Sequence, residues 1–184
     1  MDGAGPVKRT ALLLSMLTSA AAHAHHLAAP KFDLISVSQK EIRIAVDYSV
    51  DPAKATEVRA QFDRDRDGTL AGEERTAAES WLRVSATHFL KIRVDGTTAV
   101  LTEIAAEFRG LDERGLPGVM IVLATPVSLG KGVHTLVLSD RHKDAAIAVP
   151  VQVTFARGLA SDDTDGPLAV GAQTPSLAIE FRAQ

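Results

Sequence analysis

The sequence predicts a mainly β fold: an antiparallel, Ig-like β-sandwich carrying one EF-hand helix-loop-helix between its second and third strands. Three observations predict it. Apolar and polar residues alternate over several short stretches separated by turn signals, the period-two pattern of strands with one buried face. Between residues 52 and 89 the apolar period becomes helical. In the middle of that interval residues 63–74 read Asp-Arg-Asp-Arg-Asp-Gly-Thr-Leu-Ala-Gly-Glu-Glu, the spacing of a calcium loop.

The first segment, residues 1–24, has Lys8 and Arg9, an apolar run from Ala11 to Leu17, and small-residue cleavage patterns at Ala20-Ala21-Ala22 and Ala22-His23-Ala24. This is the pattern of an export signal, with an apolar run too short for the about 20 residues that span a bilayer. Residues 25–184 then form a single sandwich domain with the EF-hand inserted at 52–89. The chain has no cysteine, so neither disulfides nor a lipid-modified N-terminal cysteine is expected, and a periplasmic or secreted bacterial protein fits best.

The composition, 46% hydrophobic and 23% charged residues, is that of a globular protein. The formal charge of -3 becomes about -4 once residues 1–24, with one acid and two bases, are removed. That balance argues against nucleic acid as a partner.

A strand is expected at 32–38, turning through Gln39 and Lys40 into a second at 41–50, where Ile42, Ile44, Val46, Tyr48 and Val50 share one face. Pro52 suits a first helical turn, and Ala55, Val58 and Phe62 line one face leading to Asp63. Ala78, Trp81, Leu82, Ser85 and Phe89 mark one face of an exit helix over 72–87. Strands resume at 90–94 and 98–104, joined by Asp95-Gly96, a good hairpin turn. Residues 119–124 are continuously apolar, as in a central strand covered on both faces, and 132–139 follows as another. The 147–155 stretch alternates, with Pro150 suggesting an edge, and 177–181 is the last strand. Residues 157–174 read as a loop, whose Ser161–Gly166 stretch lacks the closing Glu of a second calcium loop. The EF-hand is thus solitary, and its apolar helix faces must pack on the sandwich or on another molecule.

The EF-hand loop supplies oxygen ligands from positions 1, 3, 5, 7, 9 and 12. Those positions hold Asp63, Asp65, Asp67, the Thr69 carbonyl, Ala71 and Glu74. Ala71 offers no side-chain oxygen, so a water would fill its place. Gly68 falls at the sharp turn, and Leu70 is the apolar anchor of the loop's extended piece. A bidentate Glu74 suits calcium better than magnesium, while Arg64 and Arg66 point outward and soften the loop's charge.

Three histidines next to the signal, His23, His25 and His26, are candidate ligands for Ni2+ or Cu2+. Cleavage after Ala22 would place His25 third from the new terminus, where amine, amides and imidazole make a square-planar chelate; cleavage after Ala24 would instead leave His25 first.

The chain resembles the extracytoplasmic N-terminal region of bacterial nickel/cobalt permeases and related hydrogenase/urease accessory membrane proteins. The residues that carry the similarity are a histidine after the signal, the Arg43–Asp47 strand, the Asp-x-Asp-x-Asp-Gly loop, Val94-Asp95-Gly96, and Thr135-Leu136 before Asp140-Arg141-His142. It spans residues 25–143. Those proteins continue into membrane helices, whereas this sequence reads as strand near its end, and His26-Leu27-Ala28 stands where they have His-Pro-Leu. The resemblance implies an exported sandwich with an acidic loop, linked to metal uptake without itself transporting metal.

The leading expectation is therefore an exported calcium-binding protein with a structural or interaction role, partnered by a membrane transporter or by a second copy through the EF-hand. The alternative is a periplasmic accessory protein that handles nickel, cobalt or copper through the N-terminal histidines. No enzyme is expected. His88, His134 and His142 are scattered, and Ser139-Asp140-Arg141-His142 holds the residue types of a hydrolase triad as chain neighbours, whereas triads are assembled in space.

Overall fold

The computed structural model describes residues 30–184, except 113, 114, 143, 145 and 164–166. Strands β1 (Lys31–Val37) and β2 (Glu41–Ser49) form the first hairpin, held at its turn by the Ser38 hydroxyl and the Glu41 backbone. A 3-10 turn at Pro52–Lys54, capped by the Asp51 carboxylate on the Ala53 amide, leads into helices α1 (Ala55–Phe62) and α2 (Gly72–Thr87). Then follow β3 (Lys91–Val94), β4 (Thr97–Thr98), β5 (Thr102–Arg109), β6 (Gly118–Pro126), β7 (Gly132–Ser139), β8 (Val149–Phe155), β9 (Leu159–Ala160), β10 (Leu168–Val170) and β11 (Leu177–Ala183).

These strands make two sheets, ordered β10-β8-β1-β2-β6-β5 and β4-β3-β7-β11-β9. The architecture is the expected mainly β sandwich with a helical insertion between its second and third strands. Pairing is antiparallel except between β1 and β8, which run parallel. Alternation in β1 and β2 places Ile35, Val37, Ile42, Ile44 and Val46 on the inner face, where they meet Ile92, Leu136, Leu138, Ile179 and Phe181 in one core.

Three details depart from the sequence reading. The expected 98–104 strand is divided: β4 ends at Thr98 in one sheet, Val100 is exposed, and β5 begins at Thr102 in the other with an irregular register between Glu103 and Ala105. The 157–174 loop contributes the short strands β9 and β10. Pro150 does not mark an outer edge, because β10 lies beyond β8. The proline is accommodated since it precedes Val151, where the pairing with β1 starts.

The helices lie over the same inner face. Tyr48, Val119 and Phe108 are neighbours across β2, β6 and β5, and α2 meets this row: the Arg83 guanidinium stacks 4.6 Å over Phe108, and Ser85 hydrogen-bonds Tyr48. Ala78, Leu82 and Ala86, at helical spacing, are buried in the core. The exit helix therefore finds its apolar partner in the sandwich.

Candidate metal centre

Helix α1 ends at Phe62 with Asp63 as its C-cap, and α2 starts at Gly72 with Glu73 and Glu74 in its first turn, where the helix dipole favours acidic residues. The nine residues between the helices, 63–71, fold back on their own side chains. The Gly68 amide donates to Asp63 Oδ2 at 3.1 Å, and the Asp67 amide donates to Asp65 Oδ1 at 3.2 Å. Asp67 Oδ1 accepts from the Thr69 amide at 2.7 Å and from its hydroxyl at 2.8 Å. These bonds, the amide first, hold the Asp67 carboxyl below the usual range. Gly68 has φ of 87°, a conformation that a side chain disfavours, which is why glycine serves at this turn.

The result is convergence of three carboxylates. Asp63, Asp65 and Asp67 each offer an oxygen, and these oxygens lie within 4.8 Å of one another. Asp63 Oδ1 is sealed from solvent with no hydrogen-bond partner, an acceptor that a cation would satisfy. Glu74 stands apart from this triad but spans the loop: its Oε1 accepts from the Arg64 amide at 2.6 Å and the Asp65 amide at 3.3 Å. Arg64 and Arg66 are exposed, as their non-ligand positions require, and Thr69 sits on the same exposed loop. An all-oxygen set dominated by carboxylates fits a hard cation such as calcium.

A scan against protein-family models and a search of curated proteins find no match to this chain.

What the sequence did not reveal is how the loop is docked. Leu70, 2% exposed, donates its amide to the Leu111 carbonyl at 3.4 Å, and Leu111 is equally buried. Arg59 of α1 donates to the carbonyls of Leu111 at 3.2 Å, Gly115 at 3.3 Å and Gly110. Arg75 of α2 pairs with Asp112 and, at 2.9 Å, with Glu79. The connection between β5 and β6 thus lies against the extended piece of the EF-hand loop. Gly110 has φ of 67°, and a Cβ there would collide with the Leu116 carbonyl. No local pattern announces these contacts, because Arg59 and Leu111 lie 52 positions apart.

The other candidates are dispersed. His88 is exposed at the C-cap of α2 and edge-on to Phe89. His134 bonds Asp95 at 2.8 Å and the Gly130 carbonyl at 2.9 Å. His142 is buried and stacked on Tyr48. His23, His25 and His26, and the expected signal segment 1–24, lie outside the described residues. Among the described residues no helix is long and apolar enough to cross a membrane.

Proposed function

We propose that this chain is an exported calcium-binding protein whose single EF-hand clamps a helical insertion onto the sandwich. The observation that carries the reading is the convergence of Asp63, Asp65 and Asp67 on one point, with Asp63 Oδ1 buried and lacking a donor. Asp63, Asp65, Asp67, the Thr69 carbonyl and Glu74 would hold the ion, with a water in the place of Ala71. Bound calcium supplies charge neutralisation for four carboxylates that otherwise repel one another.

The docking contacts favour a structural or interaction role. Leu70 belongs to the loop and is also bonded to Leu111, so ordering the loop orders its contact with the sandwich. Extracellular EF-hand modules bind in the range of about 10⁻⁴ to 10⁻³ M. Binding confined to the folded state adds about 2.7 kcal/mol of stability at a hundredfold excess over the dissociation constant. Thermal melting of the purified protein at rising calcium tests this. The melting temperature should climb through the millimolar range and the climb should vanish in Glu74→Gln; equal climbs in both proteins would remove Glu74 from the site.

A further inference from the structure

The EF-hand reading leaves unused a second set of ionisable groups. Among the described residues the buried side chains of Lys, Asp and His type are Lys31, Asp33, Asp140 and His142. Lys31 and Asp33 are two apart on β1, so both face inward, and each is 0% exposed. Asp140 arrives from the other sheet, directly after β7.

Lys31 Nζ donates to Asp140 Oδ1 at 2.8 Å and lies 2.6 Å from Oδ2 in a charge contact. Oδ2 nevertheless has no hydrogen-bond donor, and neither oxygen of Asp33 has one. Lys31 carries one positive charge and balances one carboxylate. A second carboxylate sealed in the same place would be uncompensated, and buried acids in that situation take up a proton instead. A carboxylic acid hydroxyl on Asp33 is also the missing donor for the Asp140 carboxylate.

We propose that Asp33 and Asp140 share one proton in the core, so that the joint between the two sheets is closed by a proton as well as by Lys31 and is weakened as pH rises. The neighbouring groups offer no substitute charge. Burial, and next the charge of Asp140, push the Asp33 carboxyl well above its usual range, while Lys31 opposes them. Opposite Asp33 stand Val46 on β2 and Val151 on β8. His142 stacks on Tyr48 at 5.9 Å, and its Nδ1 accepts from the Asp144 amide at 3.1 Å. Burial holds its imidazole below the usual range, with Lys31 and Lys54 acting in the same direction and Asp144 opposing them.

A group whose folded value is raised makes the folded state bind more protons than the unfolded one. Its contribution is complete below the unfolded carboxyl value of about 3.9. Above that it falls by up to tenfold in the folding constant per pH unit, until the folded value is passed. The test is thermal melting of the wild-type protein and Asp33→Asn from pH 4 upward. The amide of the variant can donate to Asp140 as the acid hydroxyl does, but it does not titrate. The two proteins should melt together near pH 4, with the wild type falling progressively behind as pH rises; parallel curves would overturn the proposal. If the variant does not fold, infrared spectroscopy of the wild type decides. A protonated-carboxyl carbonyl band should persist at neutral pH, and its absence overturns the shared proton.

Discussion

At the scale of single residues, His134 shows how a side chain can be settled by counting donors and acceptors. Its Nδ1 faces Asp95 and its Nε2 faces the Gly130 carbonyl, and both partners are acceptors. Only the doubly protonated ring satisfies both, so the Asp95 bond, with Gly130 second, raises the imidazole above its usual value. The contribution is complete below the unfolded histidine value of about 6.5 and is lost as pH rises through the raised value. Melting curves through that window should fall less steeply for His134→Gln than for the wild type; an equal fall in the two proteins would contradict the assignment. Asp95 also has φ of 49° at the hairpin turn, where Asx residues tolerate the left-handed region. That turn was legible from Asp95-Gly96 alone, whereas the histidine's partners were not.

At the scale of elements, the helix-loop-helix is held by both ends and by its middle. Leu82 on α2 is 1% exposed inside the core, so Leu82→Ala should destabilise the protein by about 2–5 kcal/mol, measured by denaturant unfolding. Gly110→Ala should cost about 2 kcal/mol or more, because a left-handed turn and the Leu116 carbonyl both oppose a Cβ. If Gly110→Ala unfolds at the wild-type denaturant midpoint, the turn at Gly110 is not held as described. The same variant should weaken calcium-dependent stabilisation, since the Leu111 carbonyl that receives Leu70 is the next residue's. The limits of α2 were readable from the Gly72 start and the spacing of Ala78, Trp81, Leu82, Ser85 and Phe89, of which the structure buries Ala78 and Leu82, with Ala86 beside them. The docking of Arg59 and Arg75 was not, because a charged residue on a helix surface usually meets water.

At the scale of the whole molecule, what could be read was whatever repeats locally. The alternation over 41–49 gave a strand, and the apolar run of β6 gave an interior strand, flanked in the structure by β2 and β5. Pairing across the sandwich follows from long-range packing, which is why the parallel contact of β1 with β8 and the short β9 and β10 escaped a reading by period. The same limit hid the charge cluster. Lys31 and Asp33 look like the solvated face of a strand until Asp140 of the other sheet closes over them. The loop at 63–74 was the opposite case, because calcium ligation is written in spacing within twelve residues.

Trp81 packs 6.0 Å from Phe62, the residue before Asp63, and gives that loop a spectroscopic neighbour. The most direct test of the central claim is a calorimetric titration of the protein with calcium, with Trp81 fluorescence followed in parallel. The account predicts one site per chain, with a dissociation constant of about 10⁻⁴ to 10⁻³ M and loss of binding in Glu74→Gln. No heat and no fluorescence change at millimolar calcium, or binding unaltered by that substitution, would contradict it.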